Sequence, residues 1–100
     1  MMNYEIFKEV VKEKFMDYMP DNFKGMELVV MPVEKVNMTY DGISIRGKDT
    51  NISPTIYIND MYEKYQNCGD LEETLMAACD LMAMEFSKTP QVVDVDSLYK

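Results

Sequence analysis

The sequence predicts a single α+β domain, in which helices cover a three-stranded antiparallel meander mainly on one face, in the element order αβββαα. Three observations predict this α+β class. Helical periodicity occupies both ends of the chain, strand-like runs occupy the middle third, and 100 residues provide for one hydrophobic core. Residues 1–90 are expected to form this domain. Residues 91–100 are expected to form a tail, either frayed or an edge strand.

The composition is that of a globular protein, with 47% hydrophobic and 28% charged residues. No apolar run approaches the roughly 20 residues that cross a bilayer, so we expect a cytoplasmic protein with no membrane partner. The net charge of -8 has the wrong sign for binding phosphate, so a nucleic-acid partner is not expected.

The residue types also exclude several chemistries. The chain has no His, which excludes His-dependent nucleophile systems and the HExxH zinc helix. Its two cysteines, Cys68 and Cys79, cannot form a four-thiolate zinc site, and a disulfide between them is not expected. The sequence therefore predicts no catalytic set, no metal and no cofactor.

The first helix is predicted over residues 4–18, with Asn3 as its N-cap and Pro20 after its end. Charged residues occupy its solvent face, where Glu5 and Lys8, and Glu9 and Lys12, have i,i+3 spacing. The apolar face recurs at steps of three and four residues: Tyr4, Phe7, Val11, Phe15 and Tyr18.

Three strands are predicted in the middle of the chain: 26–30 with a continuation over 33–36, then 43–46, then 55–58. Pro32 interrupts the first strand, which indicates a sheet edge or a bulge. Asp41-Gly42 is typical of a turn or bulge before the second strand.

Two further helices are predicted after the strands. Asn59 or Asp60 is expected to cap a short helix that Gly69 ends in the left-handed conformation. Asp70 and Glu73 have the spacing of a capping box for a last helix that continues to about Ser87.

This last helix carries more apolar surface than one core face needs. The core face is predicted as Leu71, Leu75, Ala78, Cys79, Met82 and Phe86. Ala77, Leu81 and Met84 fall outside it, and Met76 and Ala83 flank its other side. Either the other helices cover this surface within the domain, or it docks onto a partner protein or a C-terminal continuation of the same chain.

The best candidate binding site is a polar set around the third strand: Asp41, Arg46, Asn51, Ser53, Asn59 and Asp60. Each of these residues also suits a structural role in a turn, a cap or a strand end. Arg46 is the only arginine, and we expect it to pair with Asp41 or Asp60, or with a carboxylate of a ligand.

Three segments carry a resemblance to a known family: MNYEIFK at residues 2–8, DGISIR at 41–46 and NISPTIYINDMY at 51–62. Over residues 2–88, the chain resembles the N-terminal region of a domain-of-unknown-function family from anaerobic gut clostridia. The resemblance implies no activity and no catalytic residue. Because members of that family usually continue well beyond this length, the resemblance implies either that this chain is the N-terminal part of a longer protein or that it is a short member.

Three functions are compatible with these observations. The favoured one is a non-enzymatic protein-interaction or scaffold-like module. The second is a carboxylate-based enzyme, or an accessory domain of one, which needs a pocket that contains a carboxylate of raised pKa. The third is an acidic mimic that binds a basic partner.

Overall fold

The structure of the protein is a computed structural model that describes residues 1–47 and 52–88. The predicted α+β class and element order are confirmed. The helices are α1 (Tyr4–Lys14), α2 (Ile58–Cys68) and α3 (Leu71–Lys88), and the strands are β1 (Glu27–Lys35), β2 (Met38–Arg46) and β3 (Ile56–Tyr57). The predicted tail, residues 91–100, lies outside the described residues.

The start of α1 is as predicted, but its last turn is not. The Asn3 side chain accepts a hydrogen bond from the Ile6 amide (2.9 Å) and so caps the helix. The α-helix ends at Lys14, and residues Phe15–Tyr18 form a tighter 3₁₀ turn. A second 3₁₀ turn, Asp21–Phe23, leads into the sheet.

The three strands form an antiparallel sheet in the order β1-β2-β3. β1 is a single strand that passes through Pro32 without a break, and Pro32 lies opposite Asp41. A proline is tolerated here because β1 has no neighbour on its outer side within the described part of the chain.

The prediction of a turn or bulge at Asp41-Gly42 is wrong, because both residues lie inside β2. The hairpin turn is at Val36-Asn37, between the paired residues Lys35 and Met38. Val36 has a φ of 51° and is almost fully exposed, so a β-branched residue occupies the left-handed region there.

The third strand is shorter than predicted, and the predicted cap of α2 is wrong. Ile58 already belongs to the helix, and Tyr57 occupies the N-cap position without a side-chain hydrogen bond. The Asn59 side chain instead accepts a hydrogen bond from the Asp41 amide at 2.8 Å, which joins α2 to β2. Asp60 lies in the first turn, where the helix dipole favours a carboxylate.

The junction between α2 and α3 has the predicted glycine end and the predicted Asp70 cap, but not the reciprocal half of the capping box, because the Asp70 amide donates to the Cys68 sulfur at 3.4 Å. Gly69 has a φ of 69° and donates its amide hydrogen to the Tyr65 carbonyl at 2.7 Å, which ends α2. The Asp70 carboxylate accepts a hydrogen bond from the Glu73 amide (3.0 Å) at the start of α3. α3 therefore turns back beside α2.

The helices pack on one face of the sheet, as predicted. Ile43 and Ile45 of β2 are fully buried, and Leu28, Val30 and Ile56 pack against the same core. The fully buried hydrophobic side chains from the helices and the first 3₁₀ turn are Phe7, Val11, Phe15, Ile58, Leu75, Cys79 and Met82. The Cys79 thiol donates to the Phe15 carbonyl at 3.2 Å, and both cysteines are free, as expected.

The opposite face of the sheet, which we call the outer sheet face, is also apolar. By strand register its apolar members include Val29, Met31, Val33, Tyr40 and Tyr57, all of them half-buried. The Lys35 ammonium lies 4.1 Å from the centre of the Tyr57 ring, on this same face. No helix among the described residues is long and apolar enough to cross a membrane.

Candidate functional site

The surface predicted from the excess apolar residues of α3 is exposed in the structure. The predicted core face is formed: Leu75, Cys79 and Met82 are fully buried. Outside it, Leu81 is 41% exposed and Met84 is 49% exposed, while Ala77 is half-buried. We call Ala77, Leu81 and Met84 the α3 stripe, since a spacing of three or four residues aligns them along the helix.

Part of the α3 stripe lines a groove of about 370 Å³, which we call the α2–α3 groove. Ala77 and Leu81 form one wall. The other contributors include Ile56 and Tyr57 of β3 and Met61 of α2. The groove therefore runs beside β3, which is an edge strand of the described sheet, and its lining is largely apolar. Two exposed side chains of α2, Asp60 and Lys64, also line it.

Acidic side chains surround the start of α3. An open depression shares Ala77 with the α2–α3 groove, and its lining includes the carboxylates Asp70, Glu72, Glu73 and Asp80. This side of the molecule therefore combines an apolar groove with excess negative charge, in a chain whose net charge is -8.

The structure divides the predicted polar set among separate places, and it brings two members, Asp41 and Asn59, together. One carboxylate oxygen of Asp41 accepts a hydrogen bond from the Tyr4 hydroxyl at 2.6 Å, and the other lies 3.1 Å from the Lys8 ammonium. With the hydrogen bond from its amide to Asn59, Asp41 connects α1, β2 and α2.

These contacts keep Asp41 charged. The hydrogen bond from Tyr4 and the ion pair with Lys8 outweigh partial burial and hold the pKa of Asp41 below its ordinary value. Burial, reinforced by the Asp41 carboxylate, raises the pKa of Tyr4. Both carboxylate oxygens are already paired within the chain, so this cluster connects elements rather than presenting a free carboxylate.

The expected pairing of Arg46 with Asp41 or Asp60 is wrong. The Arg46 guanidinium lies 2.7 Å from the Glu27 carboxylate. The register of the sheet places Glu27 directly opposite Arg46, so the two side chains meet across the β1–β2 pair. Arg46 is thus at the opposite end of β2 from Met38, where the hairpin turns.

The remaining members of the polar set do not join the Asp41 cluster. Ser53 is buried; its hydroxyl accepts from the Ile45 amide at 2.9 Å and donates to the Pro54 carbonyl at 3.0 Å, which indicates a structural role. Asp60 is exposed at the α2–α3 groove. Asn51 lies outside the described residues.

Sequence reasoning missed two partners of Asp41 and one wall of the groove. The sequence pattern places Lys8 on the solvent face of α1 beside Glu5, whereas the structure pairs it with Asp41. The expected pair of Glu9 with Lys12 is present at 3.4 Å. The available signal was that Lys8 follows Tyr4 by four residues, which places both on one side of the helix. Nothing local indicated that Tyr57 lies beside α3.

The described residues contain no group of three or more His, Cys, Asp or Glu side chains that could hold a metal ion. The α2–α3 groove offers apolar contact, and the neighbouring carboxylates offer electrostatic attraction.

Comparison with known proteins identifies a family. Searches of the curated proteins and of the solved structures each returned no match. A family model described as a family of unknown function, DUF5688, matches residues 4–100. This match includes the predicted tail, so it extends past residue 90. The chain therefore belongs to the DUF5688 family.

Proposed function

We propose that this domain is a non-enzymatic protein-interaction module, and that it binds a partner protein through the α3 stripe. The observation that carries the proposal is the exposure of Leu81 and Met84, at 41% and 49%, on a helix whose opposite face is fully buried. A single exposed apolar residue is ordinary, but these two lie on one stripe of the helix, and Leu81 also lines an apolar groove.

The apolar area of these two side chains is large enough to contribute measurably to binding. Burying a Leu or Met side chain stabilises by about 1.5–3 kcal/mol relative to full exposure. Because Leu81 and Met84 retain nearly half of their exposure, a partner that covers both would gain roughly 1.5–3 kcal/mol from them together.

The charge of the surroundings defines the chemistry of the partner. The carboxylates around the start of α3 favour lysine or arginine near the apolar contact. The fitting ligand is therefore a segment of another protein with apolar anchors flanked by basic residues. A C-terminal continuation of the chain with that character would serve equally.

Site-specific photo-crosslinking from the full chain, in cells of the organism that encodes it, tests this proposal. A photoreactive residue at Met84 is expected to capture a discrete protein, and one at Glu13, on the solvent side of α1, is not. Capture at both positions to the same extent, or at neither, would contradict the proposal. Capture of a second copy of the chain would identify the domain as its own partner.

A matched pair of substitutions then locates the contact. Met84→Lys is expected to weaken binding of the captured partner about tenfold, equivalent to roughly 1.4 kcal/mol. Met76→Lys is the control, because Met76 has the same 49% exposure but lies on the other flank of α3. Equal losses for both variants would place the contact elsewhere on the helix.

The two other functional hypotheses, a carboxylate-based enzyme and an acidic mimic, remain predictions. A carboxylate-based enzyme needs a carboxylate of raised pKa in a pocket, whereas the pKa of Asp41 is lowered. An acidic mimic would use the depression around Glu72 and Glu73. The cytoplasmic location and the origin in gut clostridia are likewise predictions.

A further inference from the structure

The outer sheet face is a second apolar surface, on the opposite side of the sheet from the helices. Its apolar side chains from β1 are Val29, Met31 and Val33, and Tyr40 and Tyr57 continue the surface across β2 and β3. The two tyrosine rings contact each other with their centres 5.6 Å apart. All five side chains are half-buried, and the hydrophobic core does not include them. An antiparallel sheet with one solvated face usually carries polar residues there, so this composition indicates a protein contact.

The residues that β1 contributes to this face form a self-complementary row. Along the strand their order is Glu27, Val29, Met31, Val33 and Lys35. Met31 is the middle residue, and the acidic and the basic residue lie about 13 Å on either side of it. When two such rows face each other with opposite strand directions, apolar residues meet apolar residues and Glu27 meets Lys35 of the second copy. A second copy of this chain therefore matches both the apolar centre of the row and the charges at its ends.

The charges at the two ends of the row are available to a second copy. Oε2 of Glu27 lies 2.7 Å from the Arg46 guanidinium, and the same carboxylate can accept further hydrogen bonds at Oε1. The Lys35 ammonium makes no ion pair among the described residues and lies 4.1 Å from the centre of the Tyr57 ring. The flexible stem of Lys35 allows the ammonium to exchange this ring for a carboxylate.

The local charge of the face also permits two copies to approach. The strand register assigns one acidic residue, Glu27, and two basic residues, Lys35 and Arg46, to this face. The face is therefore slightly positive, in a chain whose net charge is -8. Two copies can meet through it with little of the repulsion that opposes contact between acidic surfaces.

The edge of β1 is less suited to a second copy than its face. β1 has no neighbour on its outer side within the described part of the chain, but Pro32 lies in the middle of the strand and has no amide hydrogen. Asp41, opposite Pro32, donates its amide to Asn59 on the far side from β1, so the backbone groups of this pair point away from each other. The missing hydrogen of Pro32 is therefore on the open edge, where it interrupts pairing with another strand.

The outer sheet face has the size of a weak interface. The nine residues of β1 span about 30 Å and the three strands about 10–15 Å, so the face covers roughly 300–450 Å² per copy. A stable interface of standard size buries about 800 Å² per partner. The face by itself therefore fits a dimer with a micromolar rather than a nanomolar dissociation constant.

We infer that two copies of this chain associate through their outer sheet faces as a two-fold symmetric dimer, with Lys35 of each copy against Glu27 of the other. The two sheets then pack face to face, about 10 Å apart and with opposite strand directions. The inference goes beyond the proposed function, because it uses a different surface. The helices lie on the far side of each sheet, so both α3 stripes stay exposed and the dimer presents two of them.

Charge-reversed variants of the full chain test the pairing of Lys35 with Glu27. In Lys35→Glu both ends of the row are acidic, and in Glu27→Lys both are basic, so each variant alone is expected to dimerise at least about tenfold more weakly than wild type. An equimolar mixture of the two variants is expected to recover dimer close to the wild-type level, because each acidic end then faces a basic end. Analytical ultracentrifugation from about 5 to 500 μM protein measures the three dissociation constants.

Two results would overturn the inference. One is a wild-type chain that stays monomeric up to about 500 μM. The other is a mixture of the charge-reversed variants that dimerises no better than either variant alone. Glu27 and Lys35 are both exposed, so neither reversal is expected to unfold the chain, and thermal unfolding of each variant checks this.

A second pair of variants separates the face of the sheet from its edge. Met38 is 58% exposed on the outer sheet face, in the row that meets Arg46 of the second copy, so Met38→Lys is expected to weaken the dimer at least several-fold. Thr39→Lys is the matched control, because Thr39 is the next residue of β2, is exposed and points to the opposite face. Equal loss in both variants would contradict the assigned face. Loss in neither would place the contact on the β1 edge and overturn the inference.

The inference and the proposed function fail separately. Met84→Lys is expected to leave the dimer unchanged, because the α3 stripe takes no part in this interface. Loss of the dimer in Met84→Lys but not in Met38→Lys would show that copies associate through the α3 stripe, and it would overturn the inference. A dimer with the expected response to Met38→Lys, but without a protein captured from position 84, would overturn the proposed function alone.

Discussion

Asp41 shows how one side chain can join three elements of this fold. It lies near the middle of β2 and contacts Tyr4 and Lys8 of α1, while its amide donates to Asn59 of α2. Each contact crosses at least 18 residues of sequence. A carboxylate that was a candidate for binding is thus occupied by contacts within the chain.

Asp41→Asn is expected to lower the free energy of unfolding by about 1–3 kcal/mol, because it removes a charged acceptor from Tyr4 and the ion-pair partner of Lys8. Urea denaturation at pH 7 measures this. Asp21→Asn is the control: Asp21 is fully exposed and lies 3.8 Å from Lys24, so its loss is expected to change little. An equal loss of stability in the two variants would show that the contacts of Asp41 stabilise the fold no more than an exposed ion pair does.

The effect of Asp41→Asn on the free energy of unfolding is expected to depend on pH, and the direction of that dependence follows from the lowered pKa of Asp41. Because the pKa of Asp41 is lowered in the folded protein, the unfolded chain binds this proton more tightly. The stability from Asp41 is therefore complete above about pH 4 and is lost as the pH falls through the lowered value. The stability difference between wild type and Asp41→Asn should narrow below about pH 4; a constant difference would contradict this assignment.

At the scale of elements, the position of Gly42 is set by packing and not by a turn. A Cβ atom built on Gly42 would lie 2.7 Å from the Thr55 methyl and 3.0 Å from a Val33 methyl. The glycine therefore lets the segment that leads into β3 approach the outer sheet face closely.

Gly42→Ala is expected to destabilise the protein by about 1–3 kcal/mol, because the added methyl overpacks this contact. Gly25→Ala is the matched control, since nothing lies within 4 Å of a Cβ there. Thermal unfolding compares the two. Adding Thr55→Ser, which removes the nearest methyl and keeps the hydroxyl that lies 3.1 Å from Ser44, should recover part of the loss. No recovery would mean that the clash is elsewhere.

At the scale of the whole molecule, the two cysteines differ in exposure, so their reactions with a thiol reagent measure different events: access to the native surface for one, and unfolding for the other. Cys68 is exposed at the end of α2, whereas Cys79 is fully buried, and burial raises its pKa to about 12. Thiolate is the reactive form, so Cys79 is protected both by exclusion of reagent and by protonation.

In the native protein, a thiol reagent such as DTNB is therefore expected to modify one cysteine rapidly and the second only as the molecule unfolds. The slow rate should increase with urea in parallel with the loss of tertiary structure. Cys68→Ser should abolish the fast phase alone. Rapid modification of two thiols in the absence of urea would mean that the contact of α3 with Phe15 opens readily.

The sequence alone determined the features that depend on neighbouring residues. The Asn3 cap, the Gly69 end and the Asp70 start are local hydrogen bonds and backbone conformations, and the core face of α3 follows from helical periodicity. The excess apolar surface was also predictable, because Leu81 and Met84 fall outside that face whatever packs against it.

Only the tertiary structure decided which distant residues meet. Register placed Glu27, not Asp41, opposite Arg46, and packing made Gly42 a close contact instead of a turn. Asn59 lies inside the first turn of α2, so it does not occupy the N-cap position, and its side chain accepts a hydrogen bond from the Asp41 amide. Such pairings depend on how strands and helices align across the whole chain, and no local pattern records that alignment.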